Sequence, residues 1–299
     1  MKIRFLILGM FAALALASCG RNASSDGAGA AEDAAAPDNA ASLAAVIAGD
    51  HRTDEERLRD PHRHPVETLI FFDIEPDMSV VEVWPGGGWY TQVIAPYLKQ
   101  GGGKYYAAGF SRQGASDRTL QSIATFRDTY ADKPDMYGDV EMTVLGDEGD
   151  IAPDGSADAV LTFRNVHNWT VHDKAEENFA KFYRALKAGG VLGVVDHRAD
   201  GAGLPPDGSS GYVYEADVIE LATAAGFDFD SSSEINANAL DTKDHPFGVW
   251  TLPPVRRESE VHGVEDPAFD HSSYDAIGES DRMTLKFRKP VAADGALLE

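Results

Sequence analysis

The chain has 299 residues, of which 43% are hydrophobic, 9% aromatic and 25% charged, a globular composition with room for one large domain or two small ones. A formal net charge of -23 leaves no basic stripe for tracking nucleic-acid phosphates. It also repels an anionic membrane surface, so any membrane attachment must use something other than charge. The single cysteine, Cys19, excludes an internal disulfide and a cysteine metal cluster.

The chain begins with processing signals. Lys2 and Arg4 precede an apolar run from Phe5 to Leu16, too short to span a bilayer but long enough for a secretory signal core. Leu16-Ala17-Ser18-Cys19 resembles a bacterial lipobox. That resemblance implies a signal peptide over 1–18, acylation of Cys19 and a periplasm-facing lipoprotein. Gly20, standing where Asp retains lipoproteins in the inner membrane, tilts the expected anchor toward the outer membrane. Residues 19–50 are mostly Ala, Gly, Ser, Asp and Asn, with few large apolar side chains. They are expected to form a disordered, lipidated tether, with the folded domain over 51–299.

Thr53-Asp54-Glu55-Glu56 predicts a helix start, and 65–72 a second short helix. Strand and helix patterns then alternate. Strands are expected over 78–84, 104–108, 140–145, 159–163 and 191–196, and helices over 89–98, 117–130, 173–186 and 215–225. Parallel neighbours need crossover helices, so this rhythm predicts an α/β, Rossmann-like, mostly parallel doubly wound sheet. The period-two run 282–288 predicts a final antiparallel edge strand. The polar, Pro- and Asp-bearing stretch 236–280 is expected to be a long loop or lid.

The segment from Val80 to Thr91, VVEVWPGGGWYT, runs from an apolar strand through glycines into a helix. Missing side chains let a ligand approach the backbone, and free amides at a helix start can hold an anion. It resembles motif I of the class I S-adenosylmethionine (SAM) methyltransferases. Glu82 takes the place of the acid, Gly86 and Gly88 those of the second and third glycines, and Trp84 that of the first. Gly146-Asp147 falls where that family carries an acid near the adenine. Residues 154–160, DGSADAV, are similar to the entry to its fourth strand, and 182–192, FYRALKAGGVL, to the turn before its fifth. Residues 84–91, Asn165-Val166-His167-Asn168-Trp169 and 278–283 further resemble a group of exported predicted methyltransferases. The resemblance implies SAM as cofactor, with Glu82, Trp84, Gly86, Gly87, Gly88 and Asp147 around it. The acid that this family places after the second strand, for the ribose, is missing from Ala107-Ala108-Gly109-Phe110. A nicotinamide dinucleotide site fits worse, since its third glycine would fall on Thr91.

Methyl transfer from a sulfonium needs positioning, exclusion of water and, for a weak nucleophile, a base. The polar residues at the ends of the fourth and fifth strands, Asn165, His167, Asp196 and His197, are the catalytic candidates, with either histidine as base. Tyr90, Tyr212 and Tyr214 are candidate cleft walls. His62 and His64, beside Asp60, have poor spacing for a metal, and no metal is expected. Glu279-Ser280-Asp281-Arg282 precedes the last strand and can close the cleft by ion pairing, with structural pairing the expected use. The expected function is SAM-dependent methylation of a small molecule or envelope component, without nucleic acid and with the membrane met only through the lipid anchor. The alternative is an exported binding protein that has lost SAM catalysis.

Overall fold

The computed structural model describes residues 35–146, 149–201, 203–205, 207–261 and 263–291. The expected signal peptide, Cys19 and Asp147 lie outside them.

Among the described residues nine strands occur: β1 (Ser79–Val83), β2 (Lys104–Gly109), β3 (Val140–Val144), β4 (Ala157–Phe163), β5 (Leu186–Ala199), β6 (Val213–Tyr214), β7 (Asp228–Ser233), β8 (Pro246–Val249) and β9 (Arg282–Arg288). The main sheet runs β3-β2-β1-β4-β5-β9-β7, and β6 pairs with β5. The pairs β1–β2, β2–β3, β1–β4 and β4–β5 are parallel, whereas β9 is antiparallel to β5 and β7. The expected doubly wound sheet is therefore present. Its last strand is antiparallel as expected but lies one place in from the edge, which β7 holds.

Alternation along β1 sends successive side chains to opposite faces. Val81 and Val83 pack with Phe179 and Phe182 of the helix Ala175–Ala185, and Val80 packs with Ile94 and Tyr97 of the helix Thr91–Gly101. Both faces are thus covered, which is why the central strands read as nearly continuous apolar runs.

The folded body starts earlier than the composition indicated. Residues Ala35–Ile47 form a helix, with Leu43 and Val46 buried against the core, so the disordered tether does not extend to residue 50. The stretch 236–280, expected as a long loop or lid, is anchored by buried contacts. The Asp241 carboxylate accepts hydrogen bonds from the Tyr212 hydroxyl at 3.0 Å and from the backbone N–H groups of Lys243 and Asp281, and His245 Nε2 lies 2.8 Å away. Those buried contacts pin the excursion to the body. Among the described residues, no helix is long and apolar enough to cross a membrane.

Candidate functional site

β1 and β4 are neighbours whose connections leave in opposite directions, to β2 and to β5. In open α/β sheets, the crevice beyond the carboxyl ends of such strands is where ligands bind. Both strand ends carry a non-glycine residue in left-handed backbone, Trp84 at φ 46° and Arg164 at φ 62°. Such conformations cost free energy and concentrate at functional sites. Their N–H groups remain in the sheet, donating to the carbonyls of Ala108 and Val195 at 2.8 and 2.7 Å.

The Trp84 indole turns sideways and packs on Phe110 and Trp169, at ring-centroid distances of 4.7 and 5.5 Å. It walls the crevice without filling it. A cavity of about 610 Å³ remains, lined on this side by Glu82, Trp84, Pro85, Gly86 and Gly87, within the size range of small-molecule sites. A Cβ on Gly86 or Gly87 would meet nothing within 4 Å, so backbone is open to a ligand there. Gly88 has a different reason to be glycine. At φ +83°, its Cβ would lie 2.3 Å from the Tyr130 ring, and it does not line the cavity.

Glu82 is buried at the cavity wall and accepts hydrogen bonds from Thr91 Oγ1 at 3.0 Å and from the Tyr105 hydroxyl. Burial pushes its carboxyl up to about 7, against the pull of those two hydroxyls and of the Arg63 charge.

Asp196 is fully buried and carries the fifth-strand corner. It accepts from the backbone N–H groups of Val166, His167 and His197 at 2.6, 3.3 and 2.7 Å, and faces His167 Nδ1 at 2.9 Å. A carboxylate that accepts at every contact requires His167 Nδ1 to donate, so Nε2 is the basic nitrogen. His167 lines a second cavity of about 190 Å³, together with His197 and Trp250, and Arg164 and Asn168 belong to both cavities. Asp196 is thus a positioning group for His167. His197 Nδ1 lies 2.5 Å from Ser280 Oγ, and burial, aided by the nearby His167 and Arg164, holds its pKa well below the usual histidine range. It stays neutral. Asn165 Nδ2 donates to Val83 O at 2.9 Å and Thr162 Oγ1 at 3.2 Å, joining the ends of β1 and β4 at the cavity.

Ligand atoms of His167, Asp196 and His197 lie within 4.8 Å of one another. Both Asp196 oxygens already accept N–H groups, so a cation would have to displace those donors, and the cluster reads as a hydrogen-bond network. The Asp60 carboxylate is held by both nitrogens of the Arg52 fork, at 2.9 and 2.6 Å, and assembles no metal group with His62 and His64.

The opposite wall of the large cavity is basic, with Arg59, Arg63 and Arg164 among its lining residues. Glu279 faces Arg59 Nε at 2.7 Å, Arg63 Nε at 3.1 Å and Arg282 Nη1 at 3.1 Å. Burial would raise its carboxyl, but Arg282, Arg63, Arg59 and Arg164 outweigh that and hold it at about 2. Burial lowers Arg164 to about 10, with Glu279 opposing and Arg282 and Arg59 adding to it. Tyr90 stacks on Phe163 at 3.6 Å between centroids, and both line this cavity. Tyr212 and Tyr214 do not line either cavity. Their hydroxyls donate to Asp241 and to Leu204 O.

Solved structures with this architecture include the [4+2]-cyclase SpnF, 16% identical with a TM-score of 0.51, the match covering 82% of this chain and 86% of that one. Another is geranyl diphosphate methyltransferase in complex with SAM, 14% identical with a TM-score of 0.50 and coverages of 82% and 94%. The fold is that of class I methyltransferases. A SAM-dependent methyltransferase from Aquifex aeolicus is 18% identical over 60% of this chain and 87% of its own, with a TM-score of 0.48. No protein-family model matches the sequence, and no curated protein matches it. One of these neighbours is named a cyclase and another a methyltransferase, so the class I methyltransferase fold does not by itself name a reaction.

Within that fold, the end of β2 carries Gly109 and the half-exposed Phe110, so the crevice beside β2 is aromatic instead of acidic. Sequence reasoning missed the arginine wall. Arg59 and Arg63 sit in a charged segment that reads as a solvated or substrate-facing loop, and their partner Glu279 is more than two hundred residues away. The only local signal was the charged Glu279-Ser280-Asp281-Arg282 run, whose expected ion pairing is what the structure contains.

Proposed function

We propose that the chain is a SAM-dependent methyltransferase acting on a small molecule or envelope component, exported and lipid-anchored through Cys19. The observation that carries the reading is the open cavity beside Glu82, Gly86 and Gly87, at the switch point of a methyltransferase fold. The residues there fit the cofactor. Open backbone at Gly86 and Gly87 and the Glu82 carboxylate suit its amino-acid end, and Trp84 and Phe110 offer aromatic faces to its nucleoside end. When bound, SAM supplies an electrophilic methyl group. His167, oriented by Asp196, faces the smaller cavity that shares Arg164 and Asn168 with the large one, and from that side accepts the proton that a weakly nucleophilic acceptor gives up; the Tyr90–Phe163 pair excludes water.

Titration calorimetry of the full chain with SAM and S-adenosylhomocysteine tests this reading. Saturable binding of both is expected. Phe110 at the end of β2, where an acid for the ribose is missing, favours a second reading, an exported binding protein that has lost SAM catalysis. Absence of binding at millimolar concentration selects that second reading. The anchor rests on the Leu16–Cys19 motif and the preceding apolar run. Labelled palmitate should enter the native chain in bacteria and not the Cys19→Ser variant.

A further inference from the structure

The basic wall of the large cavity is unbalanced. Three guanidiniums, of Arg59, Arg63 and Arg282, pair with the carboxylate of Glu279, and that of Arg164 lies close enough to act on its charge. Arg63 is 2% exposed, yet its Nη2 is buried with no hydrogen-bond partner, and the same holds for Nη2 of Arg59. A buried donor left unpaired costs about 1–3 kcal/mol, more on a charged group. Among the described residues, Arg164 has no carboxylate within ion-pair distance, although it occupies a strained left-handed position at the cavity's edge. This surplus lies in a chain of net charge -23.

The facing acids offset this surplus only in part. Glu56 is half-buried and hydrogen-bonded to Thr53 and Gln92, and Glu82, although the Arg63 charge reaches it, is held by Thr91 and Tyr105 and ionises only near 7. SAM does not supply the remainder. With one carboxylate, one ammonium and one sulfonium, that cofactor brings a net positive charge into the same space. We infer that the arginine wall binds an oxyanion, a carboxylate or phosphate group of the molecule that shares the cavity with the cofactor. Planar, forked guanidiniums suit both groups through paired hydrogen bonds. The Tyr90–Phe163 stack beside them gives the rest of that molecule an apolar face. The inference deepens the methyltransferase reading by naming the acceptor class, and rests on it only for the word acceptor.

The test is calorimetric titration of the full chain with inorganic phosphate and, separately, with succinate, at ionic strength held constant with sodium chloride. S-adenosylhomocysteine is titrated in parallel. Saturable binding of at least one anion is expected, weakened tenfold or more in Arg164→Gln and largely restored in Arg164→Lys. Heat with phosphate alone assigns phosphorylated acceptors, and heat with succinate alone assigns carboxylates. Arg59→Gln, at a side chain 24% exposed, provides an independent variant should Arg164→Gln fail to fold. Absence of saturable binding of both anions overturns the inference, as does undiminished affinity in the folded variants. Binding of S-adenosylhomocysteine without either anion sinks the inference and leaves the methyltransferase reading intact. Anion binding without S-adenosylhomocysteine does the reverse.

Discussion

Glu82 and Glu279 are both buried beside the switch-point crevice, and their carboxyls are shifted in opposite directions. Glu82 meets two hydroxyls and is pushed up to about 7, whereas Glu279 meets guanidiniums and is held at about 2. Burial acts the same way on both; the partners decide the outcome. The wall at the end of β1 therefore offers space and a carboxyl that ionises near neutrality. The wall behind the end of β4 offers fixed positive charge. One suits a ligand defined by shape, the other a ligand defined by charge.

The comparison breaks first if Glu279 is expendable. Glu279→Gln leaves three guanidiniums without their shared carboxylate and should cost about 3–5 kcal/mol at neutral pH. Because the folded pKa is depressed below 4.5, this contribution is complete above that pH and is lost as the pH falls toward 2. Urea denaturation of native and variant chains across that range checks it; a deficit that does not change with pH contradicts the ion-pair account.

His167→Gln sharpens the role of the β4 side. The orienting Asp196 stays in place, so turnover should fall about 10²–10⁴-fold while cofactor affinity holds. Native-like turnover with any methyl acceptor found active would remove His167 as the base.

Glu82→Gln should show the mirror image of Glu279. The folded pKa is raised, so the stability tied to Glu82 is complete below 4.5 and lost as pH rises through about 7. Glutamine keeps an acceptor for Thr91 and Tyr105 and cannot ionise. The variant should exceed the native chain in stability at pH 8 by up to roughly 3 kcal/mol, with the gain fading by pH 5. Equal stability at both pH values would show that Glu82 does not ionise at the cost described.

Gly88→Ala is the smallest of these effects, about 1–3 kcal/mol, from overpacking against Tyr130 in left-handed backbone. Thermal denaturation should register it, with affinity for S-adenosylhomocysteine nearly unchanged once the fold is populated. A selective loss of that affinity would instead place Gly88 in the binding surface.

The sheet was legible because its central strands are buried on both faces and its crossovers are ended by glycines. The helix Ala35–Ile47 was not. Its alanines favour helix strongly, and two large side chains three residues apart, Leu43 and Val46, suffice to dock it, yet composition alone reads the segment as tether. At the site, the turn from Glu82 to Gly87 was visible because it is one continuous segment. Arg59, Arg63, Arg164 and Glu279 come from three distant segments, and nothing local distinguishes them from solvated charges. Gly88 looked like its neighbours in the sequence; only the position of Tyr130 separates them.

Gly87 offers the most direct measurement of the central claim, that the open turn beside Glu82 receives a nucleoside-bearing ligand. Valine there enters empty space, so the fold should survive while the cavity narrows. Calorimetry should give saturable binding of S-adenosylhomocysteine to the native chain and at least tenfold weaker binding to a folded Gly87→Val chain. Equal affinities, or no binding by the native chain, would contradict the account.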